Sequence, residues 1–289
     1  MDIADLKALV AVAETGSFSE AAERLFITQP AVSKRIAALE AELGTPLFDR
    51  IGRHIELTET GAALLPRSRD ILAQVGDLRR QAGNLAVTVS GKLNMATSHH
   101  IGLHRLPPAL RQYTQDFPQV DLNLEFLASE VACEAVLAGR LELAVVTLPA
   151  KPIARLAMAP VWPDPLALVV GQGHPLTGVA NPGVAELVQF PAILPGPDTV
   201  TRSEVVRALG SQAKKLTVRM TSNYLEVLKT LTSIGLGWSA LPETMIDDSL
   251  RVVHVNKITI KRRLGIVTHA DRTLSNAARS MIETIRNAT

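Results

Sequence analysis

A chain of 289 residues that is 47% hydrophobic and 20% charged carries enough apolar material for two or three domain cores. Its net charge of +2 gives no bulk basic footprint, and no run of about 18 apolar residues offers a membrane span. The single cysteine, Cys133, excludes an internal disulfide and a cysteine-based zinc site; within Glu130 to Val136 it reads as a buried apolar residue of a helix. The start, Met1-Asp2-Ile3-Ala4-Asp5, has neither a basic stretch nor an apolar core of a signal peptide, so a cytoplasmic protein is expected.

The first predicted helix covers residues 2–14, with Ile3, Leu6, Leu9, Val10 and Ala13 on one face and Gly16 as its stop. Ser19 is the expected N-cap of a second helix and Thr28 that of a third. Ser19–Leu25 and Thr28–Ile36 are separated by a turn of about three residues, the spacing of a helix-turn-helix. Pro30 suits a first turn, where its missing N–H costs nothing. Val32, Ile36, Leu39 and Leu43 step by four, three and four, which predicts a core stripe. Gln29, Ser33 and Lys34 fall on or near the opposite face. Glutamine and serine there suit base edges in a major groove, while Lys34 and Arg35 suit phosphates. Ser19, Thr28 and Pro30 complete the candidate DNA-contact set. Residues 1–58 hold six basic and nine acidic side chains, a net of −3, so DNA affinity has to come from local placement of bases and from helix N-termini.

Leu47–Arg50 and Ile51–Thr58 read as two short strands about a glycine-containing turn, a wing that would bring Arg50 and Arg53 to phosphates or the minor groove. A long helix then runs from Thr58 to about Val87. Leu64, Ile71, Val75, Leu78, Ala82 and Leu85 keep a seven-residue pattern with Ser68 in the missing step, the seam of a two-stranded coiled coil and hence of a homodimer.

At this point the chain resembles the LysR-type transcriptional regulators. The residues that carry the resemblance are Phe18-Ser19-Glu20-Ala21-Ala22, Leu25, Gln29-Pro30-Ala31-Val32-Ser33, Ile36, Leu39-Glu40, Leu43-Gly44, Leu47-Phe48-Asp49-Arg50 and Leu57-Thr58-Glu59-Thr60-Gly61. The resemblance implies an α/β protein in which an N-terminal winged helix-turn-helix and a linker helix are joined to a two-lobed α/β effector-binding domain of the type 2 periplasmic-binding-protein kind. It also implies a homotetramer on double-stranded promoter DNA. The expected division is residues 1–58 for the DNA-binding head, 59–90 for the linker helix and 91–289 for the effector domain. Lobe I takes 91–161 and 268–289; lobe II takes 162–267.

Residues 91–289 independently alternate strand and helix. Strands are predicted at Lys92–Ser98, Val120–Leu127, Leu141–Thr147, Leu166–Val170, Ala192–Leu194, Leu216–Met220, Trp238–Leu241 and Arg262–Thr268. Helices are predicted at Leu106–Asp116, Ser129–Ala138 with Ser129 as cap, Thr201–Leu209, Tyr224–Ile234 and Ser275–Ala288. Such alternation predicts mostly parallel sheets covered by helices, with ligands at the C-terminal ends of strands. Three places qualify: Thr97-Ser98-His99-His100-Ile101, Thr147, and Asp198-Thr199-Val200-Thr201-Arg202. Hydroxyls beside helix N-termini suit a small anion. The resemblance to the sulfur-control branch of the family assigns Ser98, His100, Thr147 and Thr199 or Thr201 to it, although His100 and Ile101 replace a hydroxyl and an amide of that branch. Thr97, His99 and Asn223 complete the candidate effector set. A histidine near the cleft would help an anion when protonated. His100 and His104 lie one helical turn apart, but no acidic ligand is near in sequence, so no metal is expected; nor is a cofactor or a membrane partner. The leading function is a DNA-binding regulator answering to a small, anionic effector. The alternative is a two-lobed small-molecule-binding protein or enzyme without a DNA role, for which no export signal, Ser/His/Asp order or glycine-rich phosphate loop speaks.

Overall fold

The computed structural model describes residues 1–51, 54–85, 88–256 and 258–288, without the side chains of residues 50, 51 and 54. The expectations for the Arg50 and Arg53 side chains lie outside the described residues. The chain divides into two compact units, Met1–Ala86 and Val87–Thr289. Among the described residues no helix is long and apolar enough to cross a membrane.

The first unit begins with α1 (Ile3–Thr15), α2 (Phe18–Leu25) and α3 (Gln29–Leu43). Asp2 caps α1 by accepting from the Ala4 N–H at 3.3 Å, while Asp5 accepts from the Asp2 N–H at 2.9 Å. Gly16 and Gly44 end α1 and α3 in the left-handed conformation that glycine adopts freely. The cap of α2 is Ser17, two residues before the expected Ser19. The Ser17 hydroxyl accepts from Glu20 N–H, and Ser19 lies exposed inside the helix. Thr28 is the N-cap of α3 by position. Leu6, Leu9, Val12, Val32, Ile36, Leu39 and Leu47 form one core. Burial of a side chain of this size contributes about 1.5–3 kcal/mol. The stripe on α3 stops at Leu39, since Leu43 is exposed.

The wing is β1 (Phe48–Ile51) antiparallel to β2 (His54–Leu57). Glu40 of α3 sets its entry, its Oε1 accepting from the Leu47 N–H at 2.7 Å and the Phe48 N–H at 3.3 Å. Thr58 caps α4 (Glu59–Gly83) and donates its hydroxyl to Pro46 O at 2.8 Å. At Gly61 a Cβ would stand 2.1 Å from Leu47 O, so only glycine lets α4 start this close to the wing. Glu14 ties α4 to the head, pairing with Arg69 at 3.0 Å and with Arg24 of α2 at 2.7 Å.

In the second unit the elements follow as β3 (Gly91–Thr97), α5 (His99–His104), α6 (Pro107–Asp116), β4 (Val120–Phe126), α7 (Ser129–Leu137), β5 (Leu143–Thr147) and β6 (Leu156–Gly171). Then come α8 (Val184–Leu187), β7 (Ala192–Leu194), α9 (Val200–Leu209), β8 (Val218–Thr221), α10 (Leu225–Ser233), β9 (Ser239–Pro242), β10 (Leu250–Val252), β11 (Ile260–His269) and α11 (Asn276–Asn287). The main sheet runs β10-β6-β11-β5-β3-β4, with β9 on β6. It is mixed, not mostly parallel: β3 pairs parallel with β4 and β5, while β6 and β11 pair antiparallel with each other and β11 with β5. The 16-residue β6 was expected only from Leu166 to Val170. It runs through Pro160, Pro163 and Pro165, which read as breakers, and a register shift against β11 accommodates an extra residue at Val161.

Two lobes result, joined through β6 and β11. Leu93, Met95, Leu143, Trp162, Leu264 and Met281 share one core; Leu166, Leu168, Leu194, Val205, Trp238 and Ile260 share another. The chain therefore passes between lobes within residues 162–166 and again within 260–264. On β11, Leu264–Thr268 pair with β5, so they pack with lobe I and not with lobe II, where the sequence places residues up to 267. Ser129 is the first residue of α7 and not its cap; its hydroxyl accepts from Thr147 N–H at 3.1 Å.

Candidate functional site

On the first unit, burial of Val32, Ile36 and Leu39 turns the other side of α3 outward. Thr28, Gln29, Pro30 and Lys34 are exposed, Ser33 and Arg35 half-buried. Gln29 Nε2 donates to Ser33 Oγ at 2.9 Å, so these side chains, one turn apart, form one polar patch. Phe26, in the turn before α3, is left-handed (φ 55°) and 95% exposed. Arg24, a base of α2, is taken by Glu14.

In the second unit a cavity of about 370 Å³ lies between the lobes. Ser98, His99, His100 and Thr147 line it from lobe I, where β3 and β5 end; Thr199, Thr201 and Asn223 line it from lobe II, where α9 and α10 begin. Seven of the eight candidates thus meet at one place. Thr97 does not. It is the last residue of β3, fully buried, and donates its hydroxyl to Val145 O at 2.9 Å.

The lining groups differ in what they have left to offer. Thr199 Oγ1 is spent as the α9 cap, accepting from Arg202 N–H at 3.2 Å and donating to Gly196 O at 2.9 Å. Asn223 Oδ1 accepts from Gly196 N–H at 3.0 Å. The hydroxyls of Ser98 and Thr147 have no partner among the described residues. His99 packs its ring edge-on against Phe126 of lobe I and Tyr224 of lobe II, at 5.9 and 5.1 Å.

Of the lining residues that the sequence analysis did not propose, three shape the chemistry of the cavity. Arg262, 7% exposed, donates from Nε to Asp164 Oδ2 at 2.5 Å and from Nη1 to Thr201 Oγ1 at 2.6 Å. This locks α9 to β6 and β11 and places a buried cation on the cavity wall. Tyr224 supplies the aromatic wall just described. Glu130, at the start of α7, reaches across to accept from the Val200 N–H of α9 at 3.1 Å. A carboxylate thus occupies a helix N-terminus in the cleft, a favourable place for negative charge. Their partners lie far away in sequence, and none belongs to a motif that singles it out.

His100 is 4% exposed. Burial, and then the positive charges of Arg262, His104 and Arg105, push its pKa down to about 3. It is neutral at physiological pH, so the expected help from a protonated histidine does not come from His100.

A family model described as "LysR substrate binding domain" matches residues 87–289, and one described as "Bacterial regulatory helix-turn-helix protein, lysR family" matches residues 3–62. An Azotobacter vinelandii protein named "Uncharacterized HTH-type transcriptional regulator in ibpB-leuC intergenic region" is 67% identical over 108 residues, 37% of this chain and 75% of its own. The "Probable RuBisCO transcriptional regulator" of Cyanophora paradoxa is 30% identical over 290 residues, 97% of this chain and 90% of its own. Among solved structures, a full-length OxyR variant from Pseudomonas aeruginosa matches with a TM-score of 0.74 at 24% identity, covering 99% of this chain and 95% of that one. Full-length CbnR in complex with its target DNA matches with a TM-score of 0.64 at 22% identity, each chain covered 100%. These two likenesses are likenesses of fold.

Proposed function

From the premise that this chain belongs to the LysR family of transcriptional regulators, we propose how its parts divide the work. The protein is a DNA-binding regulator with a helix-turn-helix head and an effector-binding domain, not an enzyme. Gln29 and Ser33 read base edges from the major groove, with Thr28 and Pro30 setting the approach of the α3 N-terminus. Lys34, Arg35, Arg50, Arg53 and Ser19 hold phosphates. The observation that carries this reading is the exposed Gln29–Ser33 pair on a helix whose other face is buried.

The effector is a small anion held between the lobes. Support comes from the free hydroxyls of Ser98 and Thr147 beside the α7 N-terminus, with the Arg262 guanidinium, paired to Asp164, on the facing wall. Binding favours one degree of lobe closure and so one spacing of the paired DNA heads. Two copies pair through the α4 seam, and two such dimers form the tetramer on promoter DNA.

Fluorescence anisotropy with the DNA upstream of the protein's own gene tests the head. Gln29→Ala is expected to cost about 1–3 kcal/mol in specific affinity without changing the salt slope. Lys34→Ala is expected to weaken all sequences alike and to lower the salt slope by about one. If both variants bind like the parent, the assignment of α3 fails.

A further inference from the structure

On sequence, His100 and His104 lack an acidic partner. The fold supplies one from the other lobe. α5 sets the two imidazoles one turn apart, ring centroids 5.0 Å from each other, and α10 brings Glu226 Oε1 to 3.2 Å from His104 Nε2. One donor atom from each of the three residues lies within 4.8 Å of the other two.

Two features set this cluster apart from an ordinary ion pair. Both ring nitrogens of His100 are buried without a hydrogen-bond partner, in a residue only 4% exposed. Glu226 Oε2 is buried and unpartnered as well, leaving the carboxylate with an oxygen to spare. Buried polar atoms are normally satisfied, and here two residues of one cluster, His100 and Glu226, each keep an unsatisfied donor atom. A metal cation meets both demands at once, taking an imidazole lone pair and a carboxylate oxygen. A single carboxylate, Asp164, pairs with the guanidiniums of Arg262, at 2.5 Å, and Arg105, at 3.9 Å, and offsets part of their repulsion of an incoming cation.

We propose that His100, His104 and Glu226 bind a divalent cation of the zinc type, stapling lobe I to lobe II beside the effector cavity. Two imidazoles and one carboxylate are the donors of three-ligand zinc sites that keep a position open for water or another ligand. Bonds of about 2.0–2.1 Å put tetrahedral donors about 3.4 Å apart, so the side chains close up by little more than ~1 Å. The His104 side chain, 44% exposed, gives the ion a way in from solvent. The site adds to the regulator reading and does not depend on it: metal occupancy would bias lobe closure whatever the effector is.

The test uses untagged, metal-stripped full-length protein and CoCl2 as a coloured stand-in for zinc. One equivalent of cobalt is expected to give a visible ligand-field band, and ZnCl2 to bleach it. Glu226→Gln and His104→Asn should each raise the cobalt dissociation constant at least ~10-fold. His254→Asn, an exposed histidine elsewhere, should leave it unchanged. Circular dichroism checks that each variant is folded. Absence of the band, or two cluster variants binding cobalt as tightly as the parent, overturns the proposal.

Discussion

Cys133 is 2% exposed in α7, and burial pushes its thiol from 9.0 up to about 11, with Glu130 and Glu134 adding to the rise. The folded state therefore holds its proton where the unfolded state lets it go. The associated stability is whole below pH 9 and is lost as pH climbs from about 9 to about 11, on the order of 3 kcal/mol. Tyr113, pushed by burial to about 12 from 10.0, acts with the same sign at still higher pH. Urea unfolding across pH 8–11 is expected to show the decline, and Cys133→Ala to flatten its first part. An equal slope in both proteins would remove Cys133 as its source. The buried character of this thiol was legible in the sequence, because small apolar neighbours surround it. Which hydroxyl of Thr97-Ser98 faces the cavity was not. That depends on the residue at which β3 ends, and a shift of one residue exchanges core for cleft.

At the scale of elements, the caps expected at Ser19 and Ser129 fall inside helices and the short α5 and α8 carry no periodic signal, but the longer helices and most strands followed from periodicity. The crossing strand β6 did not, since its prolines argue against a strand and its partner β11 lies about a hundred residues on. The Arg262–Asp164 pair joins these two strands across the same sequence distance. Replacing Arg262 with Met leaves the buried charge of Asp164, 1% exposed, with only the more distant Arg105 guanidinium, at 3.9 Å, to balance it. Denaturant unfolding of the variant is expected to show a loss of about 3–5 kcal/mol. The double variant Arg262→Met with Asp164→Leu should recover most of that loss. A single variant as stable as the parent would show that the pair carries no such weight.

For the whole molecule, the linker seam divides in two. Ser68 is buried and Leu64 packs into the head core, whereas Ile71, Leu78 and Leu85 stand exposed, Leu78 at 68%. The heptad pattern was plain in the sequence; that its first turns are used by the chain's own head was not, because α1 competes for the same stripe. The proposed dimer thus rests on the later turns. Leu78→Asp is expected to shift the molar mass found by light scattering toward the monomer at micromolar concentration, with the fold of each unit kept. An unchanged mass would place the dimer contact elsewhere.

The carboxylate of Glu130 on the α9 terminus means that the cleft, before any visitor comes, already houses a rival. A negatively charged guest has to evict it, and the energy of eviction is subtracted from whatever the guest gains. A single oxygen-for-nitrogen exchange at Glu130 would remove that competing charge. Glu130→Gln is expected to bind a small dianion such as malonate roughly tenfold more tightly by calorimetry, in line with one charge-assisted contact. Weaker or equal binding would mean that this tenant is a host.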